Sequence, residues 1–195
     1  MLPLFDDNPR NTIPYVSWTI IALCLAVFVW QLSLSDAEMQ SAVYQYGVIP
    51  ARLLARDELA AGLETIPAFA TVLTSMFMHG DLYHLAYNML FLWIFGDNIE
   101  DSMGHLRFLA FYLLCGIIAA LAQAGLDPNS PIPMIGASGA ISGVLGGYIL
   151  LHPFANIRVF FLIIIIPMII NIPAALVLGL WFAGQIFNAA VTPPD

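Results

Sequence analysis

The stretch Pro133-Met134-Ile135-Gly136-Ala137-Ser138-Gly139-Ala140-Ile141-Ser142-Gly143 decides how the chain is read. A Pro-rich loop runs directly into a segment of Gly, Ala, Ser and small aliphatics. Proline and glycine punctuate loops, and the small residues that follow suit a helix packed closely against neighbours. One hydroxyl, Ser138, stands at the join. A serine at a helix start lies beside backbone N–H groups that have no partner within the helix.

The surroundings of that stretch are strongly apolar. The chain has 195 residues, of which 61% are hydrophobic and 9% charged, and its mean hydropathy is +0.87. Soluble domains carry about 25% charged residues, so the composition predicts a polytopic membrane protein. The net charge is −8, with five scattered arginines and no lysine, which excludes a nucleic-acid-binding surface. Cys24 and Cys115 both lie within apolar runs and read as free thiols in membrane-embedded helices.

Outward from Ser138, the pattern divides into five apolar segments. Residues 1–12 read as a short polar, cytoplasmic tail and 13–195 as one transmembrane domain. The first span covers residues 13–34, about 22 residues at 1.5 Å each against a hydrocarbon core of roughly 30 Å. Residues 35–66 hold mixed charge (Asp36, Glu38, Arg52, Arg56, Asp57, Glu58, Glu64) and predict an extramembrane loop with short helical pieces, one near 50–62. Residues 67–80 predict a segment docked at the membrane surface. The second span runs from Asp81, an expected N-cap, to about Asp101. The third covers 106–125, the fourth starts at Ser138 and ends by His152-Pro153, and the fifth covers about 173–190. Residues 154–172 predict a loop or half-embedded segment. Arginine placement favours a cytoplasmic N-terminus, and a prokaryotic inner membrane is the expected location.

On this topology the second and fourth spans run in the same direction. His84 lies about one turn into the second span, and Asn88 is i+4 from it on the same face. Ser138 opens the fourth. Three polar side chains thus share one depth, and polar groups inside a bilayer are costly enough to mark function by default. Free N–H groups and the helix dipole at Ser138 suit a developing oxyanion, with His84 and Asn88 as further donors. The bland alternatives are a packing hydroxyl at Ser138 and an interhelical hydrogen bond for His84 and Asn88. Gly139, Gly143 and Gly147, four apart, make a bare face that lets another helix approach closely. Glu100 is expected to cap or pair with Arg107.

These residues resemble the rhomboid family of intramembrane serine proteases. The likeness covers about Thr71 to Asn188. It rests on Gly136-Ala137-Ser138-Gly139, on His79, His84 and Asn88 in a His-x4-His-x3-Asn pattern, and on Gly96-Asp97-Asn98-Ile99-Glu100 with Gly104 and Arg107. It implies a helical membrane bundle in which Ser138 attacks a peptide bond and His84, Asn88 and the Ser138 N–H form the oxyanion hole. It implies single-span membrane proteins as substrates, with no metal and no organic cofactor. Family proteases carry their base histidine in a sixth span, a helix beyond the fifth, and the resemblance implies that the bare glycine face is its seat. The four histidines here are His79, His84, His105 and His152, and none lies in such a span. The expectation is therefore a truncated member or a natural pseudoprotease that binds membrane clients. A small transporter using His84 and Asn88 as a polar path is a third reading, opposed by the lack of an internal repeat.

Overall fold

The computed structural model of the chain describes residues 2–55, 66–163 and 166–191. Helices dominate it: α1 (Tyr15–Leu32), α2 (Asp36–Tyr46), α3 (Ala68–Thr74), α4 (Leu82–Met103), α5 (His105–Leu126), α6 (Ser138–Leu151) and α7 (Ala174–Val191). Two of them, α1 and α5, are long and apolar enough to cross a membrane. The 22-residue α4 matches α5 in length but carries Asp97, Glu100 and Asp101 towards its C-terminal end.

Helix boundaries follow local chemistry. Asp81 caps α4, its side chain accepting from the His84 N–H at 2.8 Å. Gly104, at φ 78°, separates α4 from α5; this left-handed conformation is cheap only without a Cβ. Ser35 and Glu38 form a reciprocal capping box at the start of α2, satisfying two N–H groups that the helix leaves open. The expected helical piece near 50–62 is described only as far as a π-type turn, Ala51–Ala55. Arg56, Asp57, Glu58 and Glu64 lie outside the described residues.

Two expectations are corrected. Residues 154–172, expected as a loop or half-embedded segment, hold a β-hairpin in place of an irregular loop: β2 (Asn156–Ile163) and β3 (Ile166–Pro173), paired from Asn156↔Pro173 to Ile163↔Ile166. Residues 1–12 are not simply a tail: β1 (Leu2–Asp6) pairs antiparallel with β2, from Leu2↔Phe160 to Asp6↔Ile157, with an irregularity between Pro3 and Phe5. The otherwise helical chain therefore carries a three-stranded sheet of order β1-β2-β3. Alternation along β2 explains it: Ile157 and Val159 are fully buried, while Arg158 is exposed and lies 4.7 Å over the Phe5 ring.

The core joins α4, α5 and α6 through Leu92, Phe95, Ile99, Phe108, Val144, Leu145 and Tyr148. The glycine face of α6 is filled by α5. A Cβ at Gly139 would lie 2.6 Å from Ala119 Cβ, one at Gly143 would lie 2.6 Å from Cys115 Cβ and nearer still to its Sγ, and one at Gly147 would touch Phe111 at 3.7 Å. The expectation that this face waits for a helix beyond the fifth span is overturned, because α5 already occupies it. The free strip of α6 lies elsewhere: Ser138 is exposed and Gly146, two turns on, meets nothing within 4 Å.

Of the two roles expected for Glu100, the structure shows the capping one, and among the described residues its ion-pair partner is His105 rather than Arg107. Its buried carboxylate accepts from the backbone N–H groups of Val16 (2.9 Å) and Ser17 (2.8 Å) and from Ser17 Oγ (2.8 Å), and it lies 2.6 Å from His105 Nδ1. A carboxylate from α4 thus caps α1, whose own flanking residue, Pro14, offers no side-chain cap. Asp101 extends the clasp by accepting from Asn11 N (3.1 Å) and Thr12 N (2.8 Å).

Candidate functional site

Four backbone hydrogen bonds hold the loop before α6. Val48 and Met134 exchange N–H···O bonds of 3.0 and 2.8 Å, Ala51 N donates to Ser130 O at 3.1 Å, and Gly136 N donates to Ser75 O at 2.8 Å. The loop is therefore pinned to the segments on both sides of the undescribed residues 56–65. Gly136 then turns at φ 125°, where a side chain is strained. Ala137 is fully buried, and its carbonyl accepts the Ile141 N–H at 3.0 Å, opening α6. Ser138 follows as the first residue of the helix.

Space as well as dihedral angle demands glycine at 136. A Cβ there would sit 2.7 Å from both Cε1 and Nε2 of His84 and 3.9 Å from Nδ2 of Asn88. The bare backbone lets both polar side chains of α4 approach the Gly136–Ser138 corner. His84, Asn88 and Ser138 line one cavity of about 430 Å³, completed by Tyr87 and Phe91 from α4, Ile141 from α6 and Trp181 from α7. A second cavity, of about 190 Å³, is lined by Ser138 together with Ser75, Gly116, Ala119 and Gln123. The serine thus lines both cavities.

The hydrogen-bond inventory separates the two serines of α6. Ser142 Oγ donates back to Ser138 O at 2.7 Å, a local bond that ties it to the backbone. Among the described residues, Ser138 Oγ has no recorded partner. Asn88 is buried, and its Nδ2 finds no acceptor among the described residues. A buried donor left unpaired costs roughly 1–3 kcal/mol. In a pocket wall, that cost leaves a donor free for an incoming oxygen. The N–H groups of the first turn of α6 lack intrahelical acceptors in the same way and add to the donor set.

His79 lies behind the site. It is fully buried, and its ring meets that of His84 edge-on at 5.1 Å between centroids. Burial, and secondarily the neighbouring His84, lower its pKa to about 4, so it is neutral at physiological pH. Gln31 of α1 holds the His79 backbone in both directions, donating to the carbonyl at 3.0 Å and accepting from the N–H at 3.2 Å. Gln31 is a positioning residue with only a faint mark in the sequence. A lone amide in an apolar span was the available signal. Trp181, which stands 5.8 Å from Phe91 between ring centroids, carried no comparable signal.

The other two histidines lie at the far end of the bundle. His105 sits against Glu100. His152 ends α6, with Nε2 3.4 Å from Ser102 Oγ and its ring against Tyr148. His84 is thus the one described imidazole in the cavity with Ser138. Among the described residues, no three His, Cys, Asp or Glu side chains gather to hold a metal ion.

Comparison with known proteins agrees with this architecture. The rhomboid domain pattern matches residues 67–194. Rhomboid protein 1, mitochondrial, of Saccharomyces cerevisiae is 28% identical over 161 residues, covering 80% of this chain and 41% of that protein. Rhomboid protease GluP of Bacillus subtilis is 44% identical over 75 residues, 38% of this chain and 14% of its own length. The human presenilin-associated rhomboid-like protein, mitochondrial, is 34% identical over 93 residues, 47% of this chain and 24% of its own length. In each case the match spans less than half of the relative's length. With a family match over well more than half of its residues, this helical membrane protein belongs to the rhomboid family.

Proposed function

We propose that the chain carries the nucleophile and oxyanion side of an intramembrane serine endopeptidase that acts on single-span membrane proteins. The observation behind this reading is the shared cavity of Ser138, His84 and Asn88, with an unpartnered buried amide on Asn88. In this mechanism Ser138 Oγ attacks the carbonyl carbon of a peptide bond lying in the cavity. The serine proton passes to a general base and then to the leaving amine. The carbonyl oxygen, now an oxyanion, takes hydrogen bonds from Asn88 Nδ2, His84 and the N–H groups at the start of α6. Water then hydrolyses the acyl-enzyme. Losing one oxyanion donor costs roughly 10²–10³ in rate.

The base is the unassigned role. His105 and His152 face other partners, His79 is buried behind His84, and His84 belongs to the donor set in this reading. A serine without a base is a weak nucleophile. The base is therefore to be sought outside these four imidazoles, and the free strip of α6 at Ser138, Ser142 and Gly146 is where its carrier would approach. The topology that goes with this reading has five spans, a cytoplasmic N-terminus, and a cavity open to the opposite side. Labelling with a fluorophosphonate probe, on protein made from the full open reading frame, tests it: the adduct is expected on Ser138 and is lost in Ser138→Ala.

A second reading rests on the same cavity: a rhomboid-like protein that binds membrane clients there without cutting them. That reading predicts no adduct from the full open reading frame and retained client capture in Ser138→Ala.

A further inference from the structure

We propose that the β2–β3 hairpin is a membrane-interface element, seated at the boundary between headgroups and acyl chains where α6 and α7 end. The bilayer is its partner, and the hairpin anchors that end of the bundle.

The chain path gives the first argument. The hairpin is joined to α6 by four residues, 152–155, and its β3 runs into α7 at Ala174 with no linker. Its base is fastened to the helix ends by Ala174 N→Ala155 O at 2.8 Å and Ala175 N→Pro153 O at 3.1 Å. It is therefore continuous with the apolar surface that these helices turn outwards, including Leu151, Phe154 and Leu176, of which Phe154 is 87% exposed.

The distribution of side chains gives the second. Near the base, one face is buried in the core through Ile157 and Val159, and the other carries Arg158 opposite Asn171. Towards the tip the polarity disappears on both faces. On one face Met168 stands opposite Phe161, with Ile170 beside it; on the other Leu162 stands opposite Pro167, with Ile169 beside it. Leu162 is 63% and Ile169 59% exposed, and Met168 and Ile170 are exposed as well. A hairpin lying against a protein in water needs one wet face. This one has none in its outer half, and exposed apolar area of that kind marks an interaction surface.

The edges give the third argument and set the depth. β1 covers β2 only as far as Phe160, and β3 is the edge strand of the sheet along its whole length. Open strand edges carry unpaired N–H and C=O groups, which the hydrocarbon core does not tolerate. Apolar faces pull the hairpin in and polar edges hold it up. The headgroup boundary satisfies both. Arg158, the one charge on the hairpin, lies at the base, where a guanidinium reaches lipid phosphate.

Nitroxide scanning in phosphatidylcholine–phosphatidylglycerol liposomes tests the proposal. In a Cys24→Ala, Cys115→Ala background, spin labels go at Leu162→Cys and Ile169→Cys on one face and at Met168→Cys and Ile170→Cys on the other. Leu176→Cys is the lipid reference and Gln40→Cys the water reference. All four hairpin sites are expected to favour collision with oxygen over nickel-EDTA-diacetate, as Leu176→Cys does. The proposal fails if they collide with the nickel complex as Gln40→Cys does. It also fails if their spectra carry dipolar broadening that disappears on dilution with unlabelled protein, since a second copy of the chain would then cover the face. Two labelled pairs on opposite faces keep the test decisive if one pair disturbs the strand.

Discussion

Gly136→Ala is the most informative single-atom perturbation of the site. It adds one methyl group, and two independent effects follow. The residue holds φ 125°, which costs a non-glycine residue roughly 1–3 kcal/mol. The new Cβ would also begin 2.7 Å from His84 Cε1 and Nε2, whereas ordinary contacts start near 3.4 Å, so the imidazole must retreat by about 0.7 Å or the loop must lift. Lifting the loop strains Gly136 N→Ser75 O, so the ring moves first. Misplacing a catalytic group by about 1 Å is worth up to 10²-fold in rate. The variant is expected to lose roughly 1–3 kcal/mol of stability, seen as a lower Tm in detergent, and to label with fluorophosphonate about 10²-fold more slowly in the full open reading frame product. Unchanged Tm and unchanged labelling would refute the claim that Gly136 is bare to admit His84.

Three further outcomes follow from other contacts. Glu100→Gln removes the charged cap of α1 and is expected to lower stability by roughly 1–3 kcal/mol, read as a fall in Tm, while Arg107→Gln leaves Tm near that of the parent. Gly143→Ala overpacks the α5–α6 contact and is expected to cost roughly 1–3 kcal/mol; adding Cys115→Gly removes the colliding side chain and is expected to recover part of that loss, a coupling that a double-mutant cycle measures. Asp6, part-buried at the end of β1 and bonded by the Tyr148 hydroxyl, has its pKa raised by burial from 3.8 to about 6. The folded state then binds the proton more tightly than the unfolded state, so this group's stabilisation is complete below pH 4 and is lost as pH rises to about 6. A pH series of denaturant midpoints should show that fall in the parent and a shallower one in Asp6→Asn.

The parts legible in the sequence were those with a local cause. Asp81 announced the start of α4 because a cap acts within three residues, and the Pro-rich loop announced Ser138. His84 and Asn88 were paired by helical period alone. The illegible parts depend on partners far along the chain. Glu100 finds Val16 and Ser17 more than 80 residues away, and nothing near Glu100 indicates that an adjacent Arg107 will be passed over. The glycine face signalled a close neighbour but not which one, and α5 rather than a later helix fills it. The sheet was hidden by composition. Its aliphatic run reads equally well as membrane, although Ile157, Arg158, Val159 already alternated with period two. Its third strand, Leu2–Asp6, lies some 150 residues upstream of the strand it joins.

The central claim is that Ser138 is a nucleophile served by donors from α4. Mass spectrometric mapping of a fluorophosphonate adduct, on the full open reading frame product in liposomes, tests it most directly. The account predicts an adduct on Ser138 that vanishes in Ser138→Ala and forms roughly 10²–10³-fold more slowly in Asn88→Ala. Equal labelling in Ser138→Ala, or an adduct on another residue, would contradict it.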